Sequence, residues 1–345
     1  MKDSFPNIKT IRAATESAIR APSLHNCQPW SWRLDDHALH LYVDRDRALP
    51  NSDSDGREVF ISCGIALQHM RIAFSSLGWS SNVERLPDAD DIHHVASMTF
   101  RHRSPLHHQV ELATAIARRR TDRRRYSSWP VPEDHLMALV RSAASEGIVV
   151  ERMNMSSVFR KAASTATEIH NRDSRYRAEL AAWNCDENAT GGIPAANVPA
   201  EHASASPVSA SMPNRAFPRH DLVEPSFVRP SEDSSAVLLV GTPGDDRASQ
   251  IRAGEATGDI LLEATTMGLA TSVYTEALEP AETRRAIQRQ VSTTHCFPQV
   301  IIRTGWAPVD APPIPPTPRR PLDDVLRNVS VDPSRSSPDS TPASF

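Results

Sequence analysis

The chain has 345 residues, 39% of them hydrophobic, enough for a sizeable core in one large domain or two ordinary ones. A formal charge of −4 gives no global field for nucleic acid or an anionic membrane surface, so an anion site has to come from a local cluster. No apolar run approaches the roughly 20 residues of a spanning helix. Met1-Lys2-Asp3-Ser4 lacks the basic-then-apolar layout of a signal peptide. Cys27, Cys63, Cys185 and Cys296 are scattered without a CxxC pair, so a cytoplasmic chain without disulfide or zinc is expected.

In chain order, apolar periodicity predicts helices near residues 7–20, 60–77, 111–120, 133–145, 160–183, 248–267 and 280–289. Apolar, β-branched runs predict strands at Leu39–Val43, Val95–Phe100, Ile148–Arg152, Val237–Val240 and Gln299–Arg303. Between about 184 and 235 the chain is rich in Pro, Ser, Ala and Asn and holds no apolar period, which predicts a long irregular segment serving as a lid or linker. The Ser/Pro/Asp tail, 328–345, is expected to be disordered.

An internal repeat organises the chain. Cys63-Gly-Ile-Ala66 through Gly78 to Val83 matches Ala253-Gly-Glu-Ala256 through Gly268 to Val273, an offset of 254 − 64 = 190. Each copy reads as a helix stopped by glycine and followed by a short strand. Four identities in 21 positions also fit two unrelated units of that kind. A fainter match sets Arg20-Ala-Pro-Ser23 against the segment around Arg141–Ser145, about 122 residues later, so the second copy carries an insertion of 190 − 122 = 68 residues. This reading gives a first half over 1–110 and a second over 111–327 that contains the insertion 184–235.

Three clusters carry candidate chemistry. In Ala21-Pro-Ser-Leu-His-Asn-Cys-Gln-Pro-Trp30, Ser23, His25, Asn26 and Gln28 offer polar groups within six residues, suited to the edge of a planar heterocycle. A capped helix–strand junction with a buried tryptophan explains the same residues, and residue types alone favour that plainer reading. Arg118–Arg125 holds six arginines in eight positions, with Thr121 among them. Guanidinium forks and a hydroxyl can grip a phosphate; a solvated basic face or a nucleic-acid patch is the alternative, the latter disfavoured by the weak net charge. Arg319-Arg320, in a proline-rich turn before a short helix, could reach the same phosphate. His93-His94 and His107-His108 are adjacent pairs, which on a strand point to opposite faces, so no metal is expected. No GxSxG, P-loop or GxGxxG occurs.

Taken together, the APSxxNxQPW-like loop, the RRTxR-like stretch Arg119–Arg123, the glycine-terminated helix and the C-terminal Arg-x-Pro turn resemble the nitroreductase family, and within it the Acg-type group. The likeness extends over roughly 7–325. It implies an α+β nitroreductase-like fold, with two related halves forming an intramolecular pseudo-dimer and a lid over a flavin. In that family the cofactor, flavin mononucleotide (FMN), lies at a homodimer interface. By position, Arg119 and Thr121 would bind phosphate with Arg319 assisting. Arg123 would stand near the ring's N1/O2 edge. Pro22, Ser23, Asn26 and Gln28 would contact the isoalloxazine, and Thr275 and Glu276 would pass beneath it. The first half lacks an arginine doublet before its loop, and the second lacks the Asn, Gln and Trp. One FMN per chain follows, with a monomer sufficient and a homodimer open.

The family's chemistry implies ping-pong transfer of two electrons from NAD(P)H to a nitro-compound, quinone or other acceptor. The cofactor carries that chemistry, so no catalytic side chain is required. The alternative expectation is a flavin-sequestering or storage protein whose lid shuts out substrates. Partners would be small molecules, with neither nucleic acid nor membrane.

Overall fold

A computed structural model of the chain describes residues 5–184, 190–200, 215–224 and 233–328. Its elements run α1 (Ile8–Ala18), β1 (Trp30–Leu34), β2 (Leu39–Val43), α2 (Arg57–Ser76), β3 (Trp79–Arg85), β4 (His94–His102), α3 (His107–Arg118), α4 (Glu133–Ser142) and β5 (Val149–Arg152). Then follow α5 (Ser157–Arg172), α6 (Ser174–Trp183), β6 (Ala236–Thr242), α7 (Arg247–Thr266), β7 (Ala270–Tyr274), α8 (Ala281–Gln290), β8 (Phe297–Gly305), α9 (Leu322–Val325) and β9 (Leu326–Asn328). Much of the central segment 184–235 and nearly all of the tail 328–345 lie outside the described residues.

Every predicted helix and strand is present; one helix divides in two, and β1 and β9 are strands that the sequence does not predict, β9 taking in Asn328 of the expected disordered tail. The single helix expected over 160–183 is two. Asp173 adopts an extended conformation and its carboxylate accepts from the backbone N–H groups of Arg175 at 2.8 Å and Tyr176 at 3.2 Å. It therefore caps α6 inside a run whose composition carries no break. Strand β1 begins at Trp30, the apolar anchor of the polar loop. Trp30 and Trp32 both point inward with period two and are fully buried.

α2 and α7 form the centre. Each is 20 residues long and buried along most of its length. The Asp53 carboxylate accepts from the N–H groups of Glu58 and Val59 at 2.9 Å and satisfies the start of α2. Asp246 does the same for α7 through Ser249 N–H. Each helix stops at a glycine with positive φ, Gly78 at 89° and Gly268 at 79°. Where they cross, Gly64 faces Gly254. A Cβ on Gly64 would stand 2.2 Å from the Ile251 carbonyl oxygen, and one on Gly254 would stand 2.1 Å from that of Ile61. The contact is reciprocal about the 190-residue offset (251 − 61 = 190). α1 packs on α2 and α4 packs on α7.

Two sheets flank the helices, one in the order β3-β4-β2-β1-β9 and the other β5-β6-β8-β7. All pairings are antiparallel except β1 with β9, where Trp32 stands opposite Leu326. The last described strand thus joins the sheet built by residues 30–102. That return carries Arg319 and Arg320, just upstream, onto the loop at 20–28. Arg320 is buried there, donating to the carbonyls of Gln28 at 3.2 Å and Trp30 at 3.1 Å and pairing with Asp44 at 2.9 Å.

Candidate functional site

The loop after α1 is held in an unusual shape. His25, Asn26 and Gln28 all have positive φ, 47°, 55° and 53°, which side chains other than glycine rarely adopt. Such strain persists only where neighbours over-determine it. Here Ser23 Oγ accepts from Gln28 N–H at 2.9 Å, and Leu24 N–H reaches Ser62 on α2 at 3.4 Å. The two amide side chains then fasten the loop to its surroundings. Asn26 Nδ2 donates to the carbonyls of Gly192 at 2.9 Å and Pro318 at 3.0 Å, while its Oδ1 accepts from Arg319 Nη1 at 2.9 Å. Gln28 Nε2 donates to Thr190 O at 2.9 Å, and its Oε1 accepts from Arg320 N–H at 2.9 Å.

Beside this loop runs the arginine stretch. Thr121 makes a parallel bridge to Thr271, and Asp122 N–H donates to Thr271 O at 2.8 Å, so residues 119–123 lie along the start of β7. Five of the six arginines divide by role. Arg119, Arg120 and Arg123 face the cleft, Arg118 is exposed, and Arg124 pairs with Asp122 at 2.9 Å.

The cleft has two adjoining compartments that share Pro22, Ser23, Thr121, Arg123 and Ile193. The inner one is walled by Ile61, Ser62 and Ile65 of α2, by Ser272–Thr275 on and just after β7, and by Phe217. The outer one is lined by Asn26, Arg20, Arg119, Arg120 and Arg319, and among the described residues no Asp or Glu lines it. Arg119 is buried, and among the described residues its side chain has one hydrogen-bond partner, Thr121 Oγ1 at 3.3 Å. Among the described residues the Nε of Arg119 and that of Arg319 have none. Burial, reinforced by Arg120 and Arg123, pushes Arg119 down to about 10. Burial together with Arg119, Arg20 and Arg120 pushes Arg319 down to about 9. Arginine stays protonated across the ordinary pH range, so the cleft carries the cost of burying charge, increased by like neighbours, which a bound anion would relieve.

Of the sequence-predicted residues, the structure brings Pro22, Ser23, Asn26, Arg119, Thr121, Arg123, Thr275 and Arg319 to this one cleft. Gln28 does not line it; fully buried, it brackets the loop from behind. Glu276 also lies behind the inner wall, where Thr167 Oγ1 donates to its Oε1 at 3.4 Å and His170 stands 3.6 Å away. Arg123 donates to Asn197 O at 3.3 Å and lies 5.4 Å from the centre of the Phe217 ring.

Sequence reasoning missed Glu58, Ile61, Ser62 and Ile65, although their i, i+3/i+4, i+7 spacing marks one face of α2. Burial pushes the Glu58 carboxyl up to about 8, against the lowering effect of Arg57. It also missed Arg215 and Phe217 in the irregular segment, which no motif flags. Burial holds the His25 imidazole well below its usual range, with Arg215 and Arg123 acting in the same direction. Among the described residues no helix is long and apolar enough to cross a membrane, and no three His, Cys, Asp or Glu side chains are grouped as metal ligands.

No protein-family model matches the sequence. Curated proteins do. The chain is 42% identical over 326 residues to the Mycobacterium tuberculosis H37Rv protein named as a candidate NAD(P)H nitroreductase, Rv3131, covering 94% of this chain and 93% of that one. It is 36% identical over 333 residues to the H37Rv protein Acg, also named as a candidate NAD(P)H nitroreductase, covering 94% of this chain and 98% of the relative. Among solved structures, a protein from Anabaena variabilis described as a candidate nitroreductase aligns over 87% of this chain and 88% of its own, with a TM-score of 0.50 at 9% identity, a likeness of fold alone. Full-length relatedness and an α+β architecture of this kind agree: the chain belongs to the nitroreductase family, in the group that includes Acg.

Proposed function

We propose that the cleft binds one FMN and that the protein is an NAD(P)H-dependent flavin oxidoreductase. The observation that carries this reading is the outer compartment, where the buried Arg119 and the half-buried Arg319 converge with no acid side chain lining the cavity among the described residues. A phosphate monoester offers the compensating charge, and the inner compartment adjoining it has the mixed apolar and polar walls that a planar heterocycle needs. Arg119, Thr121 and Arg319 would hold the phosphate, Pro22 and Ser23 would edge the ring, and Thr275 would support it. Bound FMN supplies two-electron transfer between a nicotinamide donor and an acceptor. Arg123 sets positive charge at the junction of the compartments and favours a ring that carries negative charge. Ile193 and Phe217 help to exclude water from the inner compartment.

A stoichiometry of one per chain, and a pseudo-dimer built from two halves, find support in the repeat. Ile65 and Thr275 line the inner compartment, and their partners at the 190-residue offset are Glu255 (65 + 190) and Arg85 (275 − 190). Arg85 donates to both Glu255 carboxylate oxygens, at 2.7 and 3.0 Å. An ion pair therefore stands where the mirrored cleft would be.

A second reading, flavin sequestration, is favoured by one feature. Thr190 and Gly192 are pinned to the loop amides, while Ile193, Arg215 and Phe217 wall the inner compartment. Adding NADPH anaerobically to the purified FMN-loaded protein separates the two. Rapid bleaching of flavin absorbance is expected for the reductase; bleaching by dithionite but not by NADH or NADPH assigns sequestration. A protein that takes up no FMN would overturn both.

A further inference from the structure

The outer compartment holds more guanidinium groups than one phosphate can engage. Arg119 and Arg319 form its inner pair. Arg20 and Arg120 stand outside them, Arg20 exposed and Arg120 half-buried. The outer pair is close enough to matter electrostatically: Arg120 is lowered by burial and further by Arg20, and Arg319 by burial and Arg119, with Arg20 and Arg120 adding to it. Its geometry is fixed from the protein side. Arg120 Nη1 donates to the carbonyls of Ala117 and Arg119, each at 2.9 Å. Arg319 Nη2 donates to Arg20 O at 3.1 Å, which ties the two pairs together. No carboxylate among the described residues pairs with Arg20 or Arg120. Pro315 and Pro316 line the same compartment and are exposed, and Asn197 Nδ2 donates to Pro315 O at 2.7 Å, which fixes that part of the rim.

We propose that this outward extension is a second phosphoryl subsite, so that the cleft accepts a flavin dinucleotide as well as FMN. The inference rests on the flavin reading above. A phosphate monoester on Arg119 and Arg319 leaves the outer pair uncompensated. A diphosphate sets one anionic phosphoryl group against each pair, with charge-assisted bonds to both. The nucleoside attached to it leaves the cleft across Pro315 and Pro316, two exposed apolar rings against which a purine face packs.

The test is titration of flavin-stripped full-length protein with FMN, FAD and riboflavin, followed by quenching of flavin fluorescence. FAD is expected to bind within about tenfold of FMN, and riboflavin far more weakly than either. The variant Arg20→Glu/Arg120→Glu, checked for an unchanged melting curve, is expected to weaken FAD at least about tenfold more than it weakens FMN. Binding of FMN with rejection of FAD overturns the subsite and leaves the FMN reading intact. So does an equal loss for both flavins in the variant. Failure of all three flavins to bind overturns the flavin reading with it. If FMN-loaded protein rejects FAD exchange yet binds inorganic phosphate through Arg20 and Arg120, the pair serves a free anion and the dinucleotide assignment falls.

Discussion

Arg319 donates to the side-chain oxygen of Asn26 at 2.9 Å, across 293 residues of sequence. This bond joins the loop after the first helix to the turn before the last, and both belong to the cleft in which Arg119 is buried. It also means that Asn26 is spent on the protein. Its two donor contacts go to Gly192 and Pro318 and its oxygen takes the arginine.

Asn26→Ala is therefore expected to act through the bracket. It removes three hydrogen bonds and puts alanine at a φ of 55°, which asparagine tolerates better. A loss of about 2 kcal/mol in stability is expected from denaturant unfolding, together with faster FMN dissociation and easier proteolysis near residue 192. Unchanged unfolding and unchanged dissociation would show that the bracket carries no weight.

Arg119→Met should separate binding from folding. Methionine keeps much of the packing volume and removes one charge from a buried cluster of like charges. The apo protein is expected to gain about 1 kcal/mol, while FMN affinity falls at least about tenfold. Isothermal titration and apo-protein denaturation measure the two. An apo variant that is less stable yet binds FMN normally would argue against strain stored for the phosphate.

Gly64→Ala tests the helix crossing. Its Cβ would meet the Ile251 carbonyl oxygen at 2.2 Å and Gly254 Cα at 3.0 Å, both backbone atoms that cannot swing aside. The expected cost is about 3 kcal/mol or more. Gly56→Ala is the control. Its φ is 69° with no atom within 4 Å of a Cβ, so only the backbone penalty of about 1–2 kcal/mol applies.

Asp259 should make stability depend on pH. Burial pushes its carboxyl up to about 7, against the lowering effects of Gln68 and Arg71. Because the folded-state value lies above the unfolded one, the native chain holds the extra proton. Stability from this group is fully present below about pH 4 and is lost as pH rises through about 7. Asp259→Asn keeps an oxygen to accept from Gln68 Nε2, now at 2.5 Å. It is expected to flatten that fall and to gain a few kcal/mol at pH 8 relative to wild type. Parallel pH profiles for the two proteins would discount the effect.

The elements were legible in the sequence because local patterns set them. Gly78 and Gly268 ended the two central helices by a conformation that only glycine adopts cheaply, and the apolar run Val237–Val240 could hardly be anything but a buried strand. The break at Asp173 was not legible. A single capping carboxylate there outweighs a continuous helical composition, and only the folded backbone shows which N–H groups it meets. The arginine-rich stretch and the polar loop were likewise readable as residue types, and the fold sets both along one cleft.

Which groups remain for a ligand was decided by tertiary structure. Asn26 and Gln28 look like ring contacts by type, yet contacts 162 to 293 residues away in sequence consume their amides. The face Glu58–Ile65 became a cavity wall because the loop at 22–25, Thr121, Arg123 and Ser272–Thr275 are brought around it from distant parts of the sequence. Hydrogen-bond capacity and charge balance depend on every neighbour in space, so sequence order names the candidate groups and folding settles which of them stay open.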